Sequence, residues 1–225
     1  MAIRSKFTHN KNQEETASFY FRASKNALII FTRNPELGKC KTRLAKTVGN
    51  EAALEIYKHL LQHTATVAKQ VEADRFVFYS EDITETDMWD SKYFIKKTQK
   101  GPNLGARMEH AFAEILELGY EKVLIIGSDL LDITARTIAE GFQKLNQYDY
   151  VFGPAADGGY YLLGMKTLHP KVFKNKAWST KSVGTDTLTD LKNESVYLLQ
   201  TLNDIDTFDD IKGIEPLKKY YQNHD

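Results

Sequence analysis

One basic loop and three acidic positions carry the residue types needed to handle a phosphorylated substrate. Four cations (Arg33, Lys39, Lys41 and Arg43) fall in the loop after the apolar run at 27–32, and Gly38 precedes Lys39-Cys40-Lys41-Thr42-Arg43. Cationic side chains and backbone N–H groups near a helix start suit a polyphosphate. A solvated basic loop is the plain alternative. The loop has neither the Gly-x-x-x-x-Gly-Lys-Ser/Thr spacing of a P-loop nor the Gly-x-Gly-x-x-Gly of a dinucleotide fold.

Asp129 follows Ile125-Ile126-Gly127-Ser128, at the end of the clearest apolar run in the chain. A carboxylate there suits Mg²⁺ or Mn²⁺, hard ions that share oxygen ligands with phosphates. Its alternative is an N-cap ahead of a helix at Thr134, a role open to Asp132 as well. Asp204 and Asp206 alternate in an extended stretch, so they face one side and could share one cation. Thr207 reads as an N-cap, with Asp209 and Asp210 favourable in the first turn. Residues 150–164 form two strand-like halves around Asp157-Gly158-Gly159. That element reads either as an ordinary hairpin or as backbone that closes on a ligand, where glycine permits an approach that a Cβ would block.

Together these features point to a nucleoside di- or triphosphate held by its phosphates and bridged by a metal, in phosphoryl-type or glycosyl-type transfer. His59 and His63 stand at i,i+4 without a third ligand, which is weak as a metal signal. Cys40 has no candidate base beside it and reads as a buried inert thiol.

The elements that must position these groups follow from periodicity. Apolar runs at 27–32, 75–80 and 122–127 read as strands buried on both faces, and 93–98 as an exposed strand. A hairpin covers 150–164, and 196–199 is a last strand. Helical spacing covers about 50–70, 104–118 (ending at Gly119), 134–145, 180–191 and 206–221. Strands alternating with helices indicate an α/β fold on a mainly parallel sheet, and ligands in such sheets bind beyond the carboxyl ends of the strands. The basic loop, Asp129, Asp157 and the Asp204/Asp206 pair fall at such ends. Residues 1–25 show little periodicity apart from Phe19-Tyr20-Phe21 and read as an extension, either a mobile arm or a short helix packed on the body or on a partner subunit. Residues 26–225 read as one domain.

Composition narrows the class. The chain has 225 residues, 42% hydrophobic and 12% aromatic, typical of a folded globular protein. Lys+Arg 30 against Asp+Glu 30 leaves no net charge, which gives no reason to expect nucleic acid or an acidic membrane as partner. A single cysteine excludes an internal disulfide framework and fits a cytoplasmic location. No apolar run approaches the roughly 20 residues of a membrane span, and the polar N-terminus lacks a signal core.

The ordered set Ile30-Phe31-Thr32-Arg33-x-Pro35-x-x-Gly38-x-x-Lys41-Thr42-Arg43-Leu44, Asn103-Leu104-Gly105-x-Arg107-Met108, Ile126-Gly127-Ser128-Asp129, Gly153–Gly164 with its Asp157-Gly158-Gly159, and Asp204-Ile205-Asp206-Thr207 resembles the DUF2064 family, also called radical-SAM/selenodomain-associated transferase 1. The resemblance covers about residues 27–212. It implies a single-domain Rossmann-like GT-A sandwich of the nucleotide-diphospho-sugar transferase type, a nucleotide-bound donor and a divalent metal. It implies that Arg33, Lys41 and Arg43 contact donor phosphates, and that Asp129 and Asp206 hold the metal. Leu104, Gly105 and Arg107 would border the nucleotide pocket, and Asp157, Gly158 and Gly159 the acceptor side. One departure is local: where relatives commonly carry Gly-Thr/Ser-Asp-Cys-Pro, this chain reads Gly127-Ser128-Asp129-Leu130-Leu131, which keeps the aspartate and loses the cysteine and proline. The expected activity is metal-dependent transfer from a nucleotide-sugar donor to a small-molecule acceptor, with Asp157 positioning or deprotonating the acceptor. Nucleotidyl transfer from an NTP to a phosphorylated small molecule, and a non-catalytic nucleotide-binding module, are the alternatives. A homo-oligomer is compatible with the sequence.

Overall fold

The strand at the centre of the fold is β1 (Asn26–Thr32), buried on both faces as its unbroken apolar run requires. The computed structural model describes residues 22–221, so most of the expected N-terminal extension, Phe19-Tyr20-Phe21 included, lies outside the described residues. After β1 come α1 (Thr42–Val48), α2 (Asn50–Lys69), β2 (Asp74–Tyr79), β3 (Ile95–Thr98), α3 (Leu104–Glu117) and β4 (Lys122–Ile126). Then follow α4 (Ala135–Lys144), β5 (Tyr150–Pro154), β6 (Tyr160–Met165), a 3-10 turn (Pro170–Phe173), α5 (Val183–Asp190), β7 (Val196–Leu198), α6 (Phe208–Ile211) and α7 (Glu215–Lys218). The seven strands form one sheet in the order β3-β2-β1-β4-β6-β5-β7. Only β6 runs antiparallel to its neighbours, because the β5–β6 hairpin turns it back beside β4.

Successive β1 side chains alternate between the faces. Leu28 and Ile30 pack under α2 and α4 with Tyr57, Leu61 and Phe142. Ala27 and Ile29 pack under α3 and the 3-10 turn with Phe112, Ile115 and Phe173. A third cluster joins α1, the outer side of α2, α6 and α7 through Leu44, Ile56, Ile211 and Leu217. A fully buried ring such as Phe112 is worth about 3–5 kcal/mol when truncated to alanine.

The structure refines three expectations. Thr42 already starts a helix, α1, inside what reads as an extended loop, with Gly49 (φ 83°) separating it from α2. The expected last helix over 206–221 is two single turns. Gly213, at φ 86°, leaves the helical region between them, and Pro216 sits in the first turn of α7. The expected helix at 180 begins at Val183.

Register places four segments at one sheet edge. Ile30 pairs with Ile126, and Ile126 with Leu162. The loop after β1, the segment after β4, the β5–β6 turn and the segment after β7 therefore meet there. None of the described helices is long and apolar enough to cross a membrane.

Candidate active site

Lys41 is the cation this edge is built to hold. The loop that carries it is anchored at its start by the Tyr57 hydroxyl, which accepts from the Arg33 N–H at 3.1 Å and donates to the Arg33 carbonyl at 3.1 Å. The Arg33 guanidinium donates to the Lys39 carbonyl at 3.1 Å, closing the loop on itself. Lys41 then takes left-handed backbone angles, φ 46° and ψ 45°, which cost a non-glycine residue roughly 1–2 kcal/mol. Strain of this kind persists only where the surroundings over-determine it. Here it directs Nζ onto Asp129 Oδ2 at 2.9 Å, with the lysine side chain 7% exposed and the aspartate 36%. Burial works against the ammonium, but Asp129, by charge and hydrogen bond, and then Asp206 outweigh it and hold its pKa above the usual lysine value.

Both carboxylates are available because other groups do the capping. Thr134 accepts from the Thr137 N–H at 3.1 Å and caps α4, so neither Asp129 nor Asp132 is used there. Thr207 and Asp210 form a reciprocal capping box on α6, which leaves the Asp206 carboxylate to Arg43 at 2.7 Å. The Ile205 N–H donates to the Asp129 carbonyl at 3.2 Å and ties the two acidic segments together. Asp204 is half-buried, and burial followed by the charges of Asp129 and Asp157 raises its pKa. The three carboxylates therefore lie in one field. Among the described residues no group of three His, Cys, Asp or Glu side chains converges as a metal cage.

Beside these ion pairs lies a pocket of about 230 Å³. Its walls come from both halves of the sheet: Phe31 from β1, Leu104 and Met108 from α3, Tyr160 from β6, and Trp178 with Thr180 from the segment before α5. Gly127 joins the two regions. It lines the pocket, and a Cβ on it would lie 3.1 Å from Asp129 Oδ1, the oxygen not paired with Lys41.

The Asp157-Gly158-Gly159 element is a hairpin turn and a pocket wall at once. Ala155 N–H donates to the Gly159 carbonyl at 3.1 Å, and Asp157 Oδ1 accepts from Gly159 N–H at 2.8 Å. Asp157 and Gly159 line the pocket. Gly158 instead turns away to neighbouring backbone: at φ 94°, a Cβ there would lie 2.2 Å from the Lys181 carbonyl oxygen. Its freedom lets two protein segments meet.

The structure thus brings Lys41, Arg43, Asp129 and Asp206 into paired contact and places Arg33 as the brace of their loop. Leu104, expected at the nucleotide pocket, and Asp157 and Gly159, expected on the acceptor side, line one and the same pocket. Gly105 is packed against protein, since a Cβ there would lie 2.3 Å from the Phe173 carbonyl and 2.5 Å from the Trp178 ring. Arg107 donates to the Gly101 carbonyl at 3.1 Å and to Gln99 at 3.3 Å, bracing the start of α3. Sequence reasoning missed Phe31, Trp178 and Thr180 as wall residues. Trp178, one of two tryptophans, stands in a polar stretch without periodicity, and that was the available signal. Cys40 is buried against the Glu36 carbonyl at 3.4 Å, and burial raises its thiol pKa. His63 bonds the Ile133 carbonyl at 3.0 Å and His59 stacks edge-on with Tyr220, so both are structural.

The profile of the family described as "Uncharacterized protein conserved in bacteria (DUF2064)" matches residues 63–180, more than half of the chain. A crystal structure named "putative nucleotide-diphospho-sugar transferase" from Desulfovibrio desulfuricans G20 is 31% identical, with a TM-score of 0.76 over 82% of this chain and 83% of that one. Two more distant structures share the fold alone. CMP:2-keto-3-deoxy-manno-octonic acid synthetase complexed with CTP is 12% identical, with a TM-score of 0.54 over 87% of this chain and 99% of that one. A 4-diphosphocytidyl-2C-methyl-D-erythritol synthase is 13% identical, with a TM-score of 0.56 over 88% and 99%. No curated protein matches the chain significantly. The profile match, the 31% identical structure and the shared sheet agree with the motif order along the sequence, and the chain belongs to the DUF2064 family, with a nucleotide-diphospho-sugar transferase-like fold.

Proposed function

We propose that this protein is a metal-dependent transferase that takes a glycosyl group from a nucleotide-sugar donor and delivers it to a small-molecule acceptor. The observation that carries the reading is the pairing of buried Lys41 with the partly exposed Asp129, on the seam of a pocket whose wall includes Asp157. In the reaction the acceptor oxygen bonds the sugar carbon as the bond from that carbon to the diphosphate oxygen breaks. The nucleoside diphosphate leaves with the electron pair, and the acceptor proton passes to Asp157. Lys41 and Arg43 stabilise the charge that develops on the leaving phosphates. The absence of a glycine- and alanine-rich loop after β1 supports glycosyl over nucleotidyl transfer.

The donor set fits Mg²⁺ or Mn²⁺ only in the manner where one or two carboxylates hold the ion and substrate phosphates complete its shell. Asp129 and Asp206 are those carboxylates. When bound, the ion supplies charge neutralisation to the diphosphate. Because Lys41 and Arg43 occupy both carboxylates, ion and diphosphate should bind cooperatively: each gives the other's partners somewhere to go.

Thermal shift against UDP-, GDP-, CDP- and ADP-sugars and against NTPs, with and without Mn²⁺, tests this. Stabilisation by a sugar nucleotide only when Mn²⁺ is present is the expected result. Stabilisation by a free NTP with pyrophosphate release on adding a phosphorylated acceptor would favour nucleotidyl transfer, and no response to any of them would remove the donor site. Asp129→Asn should abolish the metal-dependent part of the shift; an unchanged shift would remove Asp129 as ligand.

A further inference from the structure

We infer that the pocket beside Asp129 takes an uncharged acceptor with a small apolar ring and a hydroxyl group, and excludes phosphorylated acceptors. The inference rests on the transferase reading and names the acceptor class for that site. The first observation is the charge of the wall. Among the described residues that line the pocket, Asp157 alone is charged, and no lysine or arginine reaches it. Lys41 and Arg43 are paired with Asp129 and Asp206 outside it, and Lys181, next to the wall residue Thr180, is not among the residues that line it. A phosphate here would shed water without meeting a cation and would face a carboxylate, a desolvation cost that the Ser179 and Thr180 hydroxyls offset only in part.

The second observation is the apolar, preformed character of the wall. Phe31, Leu104, Met108, Tyr160 and Trp178 present ring and aliphatic surface. Trp178 packs over Gly105, and ion pairs fix the segment that carries it. Gly105 leaves room for its ring, because a Cβ at that position would approach the indole to 2.5 Å. Lys176, 3% exposed, pairs with Asp190, and Lys174 reaches Glu109 at 3.6 Å. Asn175 and Ser179, on either side, hold positive φ angles of 54° and 66°. A wall fixed in this way binds a flat apolar group without first ordering itself. The volume of about 230 Å³ lies below the roughly 300–1,000 Å³ of sites for drug-sized ligands, so one ring with a short substituent fills it. Asp157, exposed at the rim, is the group to which a hydroxyl on the short substituent of the ring would be presented.

Benzyl alcohol and benzyl phosphate, which differ only by the phosphate, are the matched probes. The full chain is titrated with each by ligand-observed saturation-transfer NMR and by tryptophan fluorescence. Trp89 is buried in the core, so a response there reports Trp178. Benzyl alcohol should bind saturably and at least tenfold more tightly than benzyl phosphate, and Trp178→Ala should weaken it at least tenfold. Leu104→Lys, at a residue 42% exposed on the surface end of α3, places a cation at the mouth and should move the preference toward benzyl phosphate. It also keeps the test decisive if the tryptophan variant does not fold. Equal or tighter binding of benzyl phosphate by the unmodified protein, or no binding of either probe, overturns the inference. The nucleotide thermal shifts are read separately. If they fail while benzyl alcohol binds through Trp178, the donor reading falls and the pocket assignment stands; the reverse pattern removes only the acceptor class.

Discussion

Lys41→Met is the substitution that most directly tests how the site works. Methionine keeps the length and apolar stem of the side chain and removes the ammonium. In the unliganded protein this breaks a 2.9 Å pair and leaves Asp129 without its partner. Removing one member of a fully buried pair costs about 3–5 kcal/mol. Asp129, however, is 36% exposed, so water replaces part of what is lost and the cost falls to about 1–2 kcal/mol. For a chain of this length that lowers Tm by about 2–8 °C. The effect on binding should be larger. A charge-assisted hydrogen bond to phosphate contributes about 1.5–3 kcal/mol, which is about 10–150-fold in Kd for the sugar nucleotide in the presence of Mn²⁺. Arg43→Met provides the internal scale: its side chain is 68% exposed, so its loss should cost less than about fivefold. The sign with pH is also set. The folded pKa of Lys41 is raised, so its contribution is fully present below the ordinary lysine value and is lost only as pH rises through the higher folded value. Calorimetric titrations at pH 6.5 and 8.5 should therefore give the same ratio of Kd values. If Lys41→Met binds the donor as tightly as the unmodified protein, or if Arg43→Met is the more damaging change, the assignment of Lys41 as the buried phosphate cation is wrong.

Three further outcomes follow from the geometry. Gly158→Ala forces a Cβ to within 2.2 Å of the Lys181 carbonyl at φ 94°, and should lower Tm by more than the roughly 2–8 °C expected from the left-handed backbone alone; an unchanged melt would mean the turn is free to move. Lys96→Met removes the partner of Asp87 at 2.9 Å in a pair 8% and 12% exposed, and should cost about 3–5 kcal/mol in urea unfolding, with an unchanged midpoint counting against the pair. Burial, with a smaller contribution from Glu140, pushes the Tyr161 phenol up to about 12, so it stays neutral in the folded state where an unfolded tyrosine ionises near 10. Its contribution to stability is intact below pH 10 and lost between 10 and 12, an effect of about 2–3 kcal/mol. Absorbance at 295 nm should show part of the tyrosine signal titrating only with unfolding, and ionisation of every tyrosine near pH 10 in the folded protein would contradict it.

What the sequence by itself determined is the part of this protein that depends on local pattern. The unbroken apolar runs at β1, β2 and β4 specify strands buried on both faces. The half-polar stretch at 93–98 reads as an exposed strand and forms β3 at the sheet edge, where its residues are half-buried instead, and Thr207 marks a helix start. The rule that ligands sit beyond the carboxyl ends of strands points to the basic loop from Arg33 to Arg43, to Asp129 and to the Asp204/Asp206 pair without reference to any contact. What only the tertiary structure decided is which of these groups touch and what faces them. Lys41 meets Asp129 across 88 residues of chain, through a left-handed backbone that no propensity favours. Gly105 and Gly158 leave room for neighbouring protein, at Trp178 and at the Lys181 carbonyl, which sequence alone cannot tell from room left for a ligand. The physical reason is common to both: periodicity and capping act within a few residues, whereas ion pairing, close backbone approach and the composition of a pocket wall are set by what long-range packing brings alongside.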